Sequence, residues 1–283
     1  MKKKDVLKIL NRPEHKVLSK LDFKSLNDNE RILITGANGS IGRRFIEKLS
    51  NSSTTWLSTD IEGNHEYMNI TDFDNVKAIV DKFKPTVIVN IAGAKHAPLG
   101  EIESWKTLSI NTIGTKYLLD CAPSNCRVVL TSTCKSANPE IVYGASKLIA
   151  ERMVINSGGS VARYFNVVES SGNVFEIWNN LPKESPIELA SKCERHFISL
   201  DEAVGLLFHC ISSNPGRYIV NSGHLLVMED VANNLYPNRK KIIIEPRRGD
   251  RLTERFLATS ESVDTYNLGL EVIKIKSIHD YEK

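Results

Sequence analysis

The sequence predicts an α/β fold built on a doubly wound parallel sheet, with a smaller lobe towards the C-terminus. Three observations lead to this prediction. Short apolar, β-branched runs alternate with helix-length segments over the first half of the chain, a pattern typical of parallel sheets covered by helices. The first of these runs ends in a glycine-rich turn. A later run ends in polar side chains, at the sheet edge where such folds bind ligands.

The glycine-rich turn follows a predicted strand, Arg31–Thr35, and precedes a helix predicted from about Ser40 to Leu49. Gly36 permits a tight turn, Gly39 lets the backbone approach a pyrophosphate, and Gly42 lets the helix pack closely on the strand. The N-terminus of the helix favours an anion. Because the glycines stand between a strand and a helix, they predict a dinucleotide-binding site.

The next segments bear on the choice of cofactor. Asp60 ends the second predicted strand, where a carboxylate accepts hydrogen bonds from ribose hydroxyls and repels a 2′-phosphate, which favours NAD. Arg43 and Arg44 favour NADP instead, because an arginine beside the ribose can bind that phosphate. We expect NAD, with NADP as the less favoured choice. The small residues Ala92 and Gly93 after the third strand should let the cofactor lie against the backbone.

A tyrosine and a lysine stand close together in the middle of the chain. Tyr143 and Lys147 have the i, i+4 spacing that places them on one face of a helix. A neighbouring ammonium favours the phenolate, so we expect Tyr143 to ionise below its usual pKa of about 10 and to act as a general base. Glu151 lies one turn further on and is placed to pair with Lys147.

The composition excludes several other classes of function. The chain has 283 residues, 41% hydrophobic and 25% charged, with a net charge of +3, which gives no reason to expect nucleic acid or an anionic membrane as partner. No apolar run approaches the roughly 18 residues of a membrane span, and no signal peptide is evident. Five cysteines without paired or metal-ligand spacing indicate reduced thiols and no metal site. We expect a cytoplasmic protein.

The chain is expected to have three parts: an N-terminal arm (1–30), a dinucleotide-binding domain (31–167) and a substrate-binding lobe interleaved with the last strands of the sheet (168–283). Within the second part, a helix is predicted over residues 109–122, with Asn111 near its start.

Several segments resemble the extended short-chain dehydrogenases/reductases that act on nucleotide sugars, in particular the UDP-N-acetylglucosamine 4,6-dehydratases of polysaccharide biosynthesis. The resemblance covers nearly the whole chain. It rests on TGANGSIG, AGAKHAP, NTIGT, STCKSANPEIVYGASK, RYFNVVESSGNV, RHFISLDEAV and PRRGDRLTE. It implies a Rossmann fold, a UDP-sugar substrate, a homodimer formed through the helices after Asn111 and Tyr143, and, for the 5-inverting branch, the pseudaminic acid route and flagellin glycosylation.

The resemblance also assigns roles to individual side chains. Those implied to bind the cofactor, beside the glycines and Asp60, are Asn38, Ser40, Ile41, Asn69, Ile70, Ala92, Gly93, Tyr143 and Lys147, with Asp72 near the adenine ring. Those implied to bind the substrate are Lys95 and Asn166 near the sugar, Arg247 and Arg251 at the diphosphate and Glu254 at the uridine. Those implied to carry the reaction are Thr133, Cys134, Lys135, Tyr143 and Lys147.

One position departs from the family pattern. The family has S-T-D-K where this chain has Ser132-Thr133-Cys134-Lys135, and the resemblance implies that the aspartate protonates the departing C-6 hydroxyl, whereas the lysine removes the C-5 proton. A thiol, with a usual pKa of about 8.5, is a weaker acid than a carboxylic acid, and a nearby lysine would favour the thiolate. Loss of water from C-6 is therefore the compromised step. The alternative is that Cys134 is a small buried thiol at a strand end.

We therefore expect an NAD-dependent enzyme that takes UDP-6-deoxy-GlcNAc-5,6-ene to UDP-4-keto-6-deoxy-L-AltNAc by oxidation at C-4, return of hydride to C-6 and protonation at C-5. The alternative is a complete 5-inverting UDP-N-acetylglucosamine 4,6-dehydratase in which the cysteine serves as the acid. A UDP-sugar 4-epimerase and a non-catalytic, NAD-binding scaffold are less favoured.

Overall fold

The computed structural model describes residues 3–14, 26, 29–246, 252–264 and 271–280. Its strands in chain order are Arg31–Thr35 (β1), Thr55–Asp60 (β2), Glu66–Tyr67 (β3), Val87–Asn90 (β4), Arg127–Thr133 (β5), Ser160–Tyr164 (β6), Asn166–Val167 (β7), Ile187–Ala190 (β8), Glu194–Arg195 (β9), Phe197–Ile198 (β10), Gly216–Val220 (β11), Leu226–Val227 (β12), Lys241–Ile244 (β13), Glu261–Asp264 (β14) and Val272–Ser277 (β15).

The α-helices are Lys3–Leu10 (α1), Ser40–Leu49 (α2), Phe73–Phe83 (α3), Ala97–Ile102 (α4), Ser104–Leu108 (α5), Gly114–Cys121 (α6), Val142–Asn156 (α7), Val174–Asn180 (α8), Leu200–Ser212 (α9) and Met228–Leu235 (α10). None of these helices is long and apolar enough to cross a membrane.

The central sheet has the spatial order β14-β15-β11-β6-β5-β4-β1-β2-β3. The strands from β11 to β3 pair in parallel, and β15 pairs antiparallel with β11 and with β14. Strands β4 and β6 are buried at every residue because helices cover both faces of the sheet, and β4 is accordingly Val-Ile-Val-Asn. Strand β6 contains the buried Arg163, which is paired with Glu151 and Glu261. The predicted doubly wound parallel sheet is confirmed, as are the predicted bounds of β1 and α2.

One predicted helix has different bounds. The segment expected over residues 109–122 is helical from Ser104, and it contains a π-helical turn at Ser109–Ile113 before α6. Asn111 therefore lies within the helical segment and not near its start. π-Turns inside helices occur often at functional sites, and here the turn carries a fully buried asparagine side chain.

The C-terminal half contributes both to the sheet and to a smaller apolar cluster outside it. Strands β8 and β13 pair in parallel, and β9 pairs antiparallel with β12. Helix α1 packs Val6, Ile9 and Leu10 into the same cluster as Phe175 and Trp178 of α8. The N-terminal segment is thus anchored to the C-terminal half by burial of apolar side chains.

Candidate active site

A large cavity lies at the carboxyl ends of β1, β4 and β5 and continues along the C-terminal half of the chain. Its volume is about 1280 Å³, above the roughly 300–1,000 Å³ usual for the site of one small ligand. The wall runs from the glycine-rich turn, past Tyr143, to Trp178 and Ile244. The cavity therefore has room for a dinucleotide and a second ligand side by side.

The glycine-rich turn forms one end of this cavity. Gly36 has φ +68°, and a Cβ there would lie 2.5 Å from the backbone nitrogen of Ala92, whereas a Cβ on Gly42 would lie 2.3 Å from the Gly36 carbonyl oxygen. Gly39 is the N-cap of α2, where the described residues supply no side-chain cap. The uncapped backbone N–H groups, next to Ser40 and Ile41 on the cavity wall, fit a pyrophosphate.

Asp60 ends β2 on the cavity wall, and its carboxylate accepts hydrogen bonds from the backbone N–H of Asn38 (2.8 Å) and of Ile61 (2.8 Å). Arg44 is bound elsewhere, because its guanidinium pairs with Asp201 at 2.7 Å. Arg43 donates to the Asn38 side chain at 2.7 Å. Asn38 does not line the cavity, contrary to its expected contact with the cofactor; it holds Asp60 and Arg43 in place.

Only part of the segment expected to contact adenine, residues 69–72, lies on the cavity wall. Asn69 and Ile70 line the cavity near the glycine-rich turn. Asp72 does not: its side chain accepts a hydrogen bond from the backbone N–H of Asn75 and caps α3. A carboxylate at this position stabilises the helix N-terminus, and this accounts for the residue without a ligand.

Tyr143 and Lys147 line the cavity from α7. Lys147 is buried and donates to the carbonyl oxygen of Thr131 at 3.0 Å, and burial lowers its pKa to about 8. Burial also raises the pKa of Tyr143, which the Lys135 charge and a hydrogen bond with Thr133 only partly offset. The expected fall in the pKa of Tyr143 was wrong, because burial outweighs the neighbouring charge. The cation that favours its phenolate is Lys135 and not Lys147.

Cys134 is not brought to the cavity. Its side chain is 1% exposed and packs in the main apolar cluster, while its neighbours Thr133 and Lys135 line the cavity wall. Burial raises the pKa of the thiol to about 12, so the lowering by Lys135 is too small to make it a thiolate. A group that is buried away from the ligand space and remains protonated is not placed to exchange protons with a substrate.

Lys135 is instead paired with a carboxylate. Its Nζ lies 2.8 Å from Oε1 of Glu254, whose Oε2 accepts hydrogen bonds from the Asn166 side chain (2.7 Å) and the His196 backbone N–H (3.2 Å). Glu254 is 3% exposed and is not part of the cavity wall. The uridine contact implied for Glu254 is therefore not supported, because both carboxylate oxygens are already engaged inside the protein. Asn166 does line the cavity.

The remaining substrate positions lie at the mouth of the cavity or outside the described residues. Lys95 lines the cavity and donates to the carbonyl oxygen of Ser171 at 2.6 Å. Ser171 also hydrogen-bonds Ser40 at the start of α2, so Ser171 links Lys95 to the helix that follows the glycine-rich turn. Arg247 and Arg251 lie outside the residues that the structure describes.

The partners of two side chains named in the sequence analysis were not predicted. Asn111 is fully buried; it accepts from the Ala94 backbone N–H (2.9 Å) and donates to the Ala94 carbonyl (3.0 Å) and to Ser146 (3.0 Å). It thereby fixes the loop beside Gly93. Glu151 was expected to pair with Lys147 but is engaged by arginines from the sheet.

Residues 59–275 match the model of a family described as "Polysaccharide biosynthesis protein". The chain is 27% identical over 237 residues to the probable polysaccharide biosynthesis protein EpsC of Bacillus subtilis, covering 72% of this chain but 40% of that protein. It is 26% identical over 269 residues to an inverting UDP-N-acetylglucosamine 4,6-dehydratase of Campylobacter jejuni, covering 84% and 80%. The chain thus spans well under two thirds of EpsC.

Solved structures share the fold. Pen from Bacillus thuringiensis superposes with a TM-score of 0.74 at 20% identity, covering 88% of this chain and 89% of that one. A UDP-glucose 4-epimerase from Thermus thermophilus in complex with NAD gives 0.69 at 19% identity, covering 81% and 90%. At these identities the likeness concerns the fold alone.

Proposed function

This chain belongs to the polysaccharide biosynthesis protein family, and we propose that it is an NAD-dependent nucleotide-sugar enzyme whose substrate has already lost its C-6 hydroxyl. The substrate would be a UDP-6-deoxy-N-acetylhexosamine 5,6-ene and the product a UDP-4-keto-6-deoxy sugar protonated at C-5, with L-altro configuration. Such a product would belong to the route to pseudaminic acid. The likeness to the Campylobacter dehydratase supports the UDP-sugar substrate.

The position of Cys134 carries this proposal. Expelling water from C-6 needs an acid beside the sugar, and the thiol at this position is buried away from the cavity. Of the carboxylates on the described wall, Asp60 lies at the end of β2 near the glycine-rich turn and Glu188 lies on β8. Glu254 is close to Lys135 but ion-paired. A substrate that needs no departure of the C-6 hydroxyl removes the demand for the missing acid.

The remaining steps have residues on the cavity wall. Tyr143 would take the proton of the C-4 hydroxyl, Thr133 would hydrogen-bond the C-4 oxygen, and Lys147 would hold the cofactor ribose. NAD, when bound, supplies a hydride acceptor at C-4, a hydride donor at C-6 and a positive ring charge that favours the Tyr143 phenolate. Lys135, which faces the cavity next to Asn166, would hand a proton to C-5.

The choice of NAD over NADP is part of the proposal. Asp60 presents its carboxylate at the end of β2, where a 2′-phosphate would meet like charge. Arg44, one of the two arginines that favoured NADP, is committed to Asp201 and Glu47. Only Arg43 remains near the ribose position, and it is hydrogen-bonded to Asn38.

A complete 5-inverting dehydratase is the second candidate. The likeness to the Campylobacter enzyme extends over 84% of this chain, and Lys135 as an ammonium would be the acid for the departing hydroxyl. This reaction asks one group both to remove the C-5 proton and to protonate the leaving oxygen. A single ion-paired lysine is poorly suited to both roles, which is why the first candidate is preferred.

The test is product analysis by proton NMR with two substrates. The purified protein with NAD is incubated with UDP-N-acetylglucosamine, and separately with the 5,6-ene made by an elimination-competent dehydratase. We expect no change in the first and a 4-keto-6-deoxy product in the second. A 4-keto-6-deoxy product from UDP-N-acetylglucosamine alone would favour the complete dehydratase, and tightly bound NAD without turnover of either sugar would favour a non-catalytic role.

A further inference from the structure

Glu254 contacts Lys135 from a distant part of the chain, 119 residues further on. Its side chain is 1% exposed, and the side chain of Lys135 is 17% exposed, facing the cavity. Lys135 Nζ lies 2.8 Å from Glu254 Oε1 and 3.5 Å from the Asn166 Oδ1. Asn166 also donates to Glu254 Oε2, so the lysine, the carboxylate and the amide form a closed triangle of contacts. Lys135 and Asn166 both line the cavity, whereas Glu254 is buried behind them.

The groups around Lys135 set its charge. Burial would lower its pKa, but the neighbouring groups, foremost the Glu254 carboxylate 2.8 Å away, together hold the pKa above its usual value. Glu254 is itself kept ionised: burial would raise its pKa, but Lys135 and Arg195, 3.7 Å away, lower it. The site therefore contains an ammonium and a carboxylate, and no neutral base at this position.

We propose that Glu254 is a positioning residue that holds Lys135 as an ammonium pointed at the sugar, so that this site donates a proton at C-5 and does not remove one. This inference rests on the proposed function, in which C-5 gains a proton. A lysine without a carboxylate partner, buried beside the same wall, would lose its proton readily and would act as a base. The direction of proton transfer would then be set by a residue that does not touch the substrate.

The proton-transfer step balances as follows. An N–H bond of the Lys135 ammonium breaks, and the electron pair of the substrate enolate forms the new C-5–H bond. Lys135 is left as a neutral amine next to the Glu254 carboxylate, and it takes a proton from water before the next cycle. Glu254 keeps its charge throughout, which makes reprotonation of the amine rapid and favourable.

The first test measures the amine and needs no turnover. Lys135 is labelled with acetic anhydride over a range of pH and quantified by mass spectrometry in the wild type, in Glu254→Gln and in Glu184→Gln, an exposed glutamate outside the cavity wall. We expect Lys135 of the wild type to react only above the usual lysine pKa of about 10.4, and Glu254→Gln to react roughly tenfold or more faster at about pH 9. Glu184→Gln should match the wild type.

The second test follows the reaction. With the 5,6-ene in deuterated water, Glu254→Gln should lower the rate of C-5 labelling by roughly 10²-fold and move the alkaline limb of the rate profile to lower pH. In a Lys135→Ala background the same change should have no further effect on C-5 labelling, whereas a merely structural role would lower it again. Glu254→Asp, which keeps the charge, should restore part of the rate.

Two results would overturn the inference. One is a Lys135 titration in the wild type at or below the usual lysine value, which can be measured even if Glu254→Gln does not fold. The other is a Glu254→Gln protein that folds, as shown by circular dichroism, with wild-type labelling of Lys135 and wild-type C-5 chemistry. Failure of the wild type to convert the 5,6-ene would instead contradict the proposed function and would leave the labelling result to decide on Glu254.

Discussion

The guanidinium of Arg163 lies 2.6 Å from the carboxylate of Glu151, and both side chains are 0% exposed. Glu151 also accepts hydrogen bonds from Ser132 and Ser136, which flank residues 133–135. Arg163 also donates a hydrogen bond to the carbonyl oxygen of Phe256 at 2.9 Å. This pair therefore joins the end of β5, helix α7 and the segment that carries Glu254. The proposed chemistry needs these three elements in fixed positions relative to one another.

Removing the charge of Glu151 should destabilise the fold strongly. Glu151→Gln keeps the shape of the side chain but removes the buried carboxylate that contacts both Arg163 and Arg217 within 3 Å, and leaves them with Glu261 and Asp280 as their carboxylate partners. Breaking a buried ion pair in this way costs about 3–5 kcal/mol, which urea unfolding measures. Glu47→Gln, which breaks an exposed pair with Arg44, should cost less than about 1 kcal/mol. Equal effects of the two changes would contradict this account.

Stability should also fall in acid because of the same carboxylate. Burial alone would raise the pKa of Glu151, but Arg163 and Arg217 lower it to about 2, against an unfolded value of about 4.3. Because the folded pKa is the lower one, this contribution is present above the unfolded pKa and is lost as the pH falls from about 5 towards about 2. Urea unfolding at several pH values should show this loss in the wild type and a shallower one in Glu151→Gln. If the free energies of unfolding of the two proteins fell equally with pH, Glu151 would not be the source of the acid sensitivity.

Cys134→Ala should leave the reaction largely intact. The thiol packs in the apolar cluster and does not face the cavity, so its removal should cost about 1 kcal/mol of stability through lost packing and less than about threefold in rate with the 5,6-ene. Steady-state rates and urea unfolding check both values. Loss of the reaction in a variant with wild-type stability would show that the thiol takes part in the chemistry.

Asp60 should decide between the two cofactors. We expect the wild type to bind NAD more tightly than NADP, and Asp60→Ser to narrow that preference by roughly tenfold or more, since the like charge facing a 2′-phosphate is removed. Calorimetric titration with each cofactor gives both affinities. Asp201→Ser, which releases Arg44 but leaves Asp60 in place, serves as the comparison. A wild type that prefers NADP would contradict the assignment.

A homodimer remains a proposal, and it rests on an exposed apolar surface. Ile102 and Trp105 are 75% and 72% exposed on α4 and α5, and both helices contact α7, which carries the exposed Ile149. A second copy is the natural partner for this surface, because α7 is one of the two helices expected at the interface. Trp105→Glu should give a monomer in sedimentation velocity, whereas Ile278→Glu, at a site 82% exposed elsewhere, should not. A wild-type monomer would refute the proposal.

The sequence was sufficient for those features that depend on local pattern. Arg31–Thr35 and the helix from Ser40 were predicted at their observed bounds, since strand composition, glycine spacing and helix periodicity are all local. Tyr143 and Lys147 were predicted to share a helix face, and both line the cavity.

The features that depend on tertiary contact were not predictable. Whether Cys134 faces the cavity or the core is decided by the 3₁₀ turn Cys134–Ser136 at the end of β5, which a four-residue motif does not reveal. The partner of Lys135 comes from residue 254, and that of Glu151 from β6 and β11. The pKa of Tyr143 depends on burial, which sequence spacing cannot supply.

The most direct test of the central claim is the mass of the sugar nucleotide after incubation of the wild-type protein with NAD and UDP-N-acetylglucosamine. The account predicts an unchanged mass in this reaction, together with conversion of the 5,6-ene to a keto product of equal mass by the same preparation. Loss of one water from UDP-N-acetylglucosamine would contradict it, because elimination would then proceed without an acid at position 134.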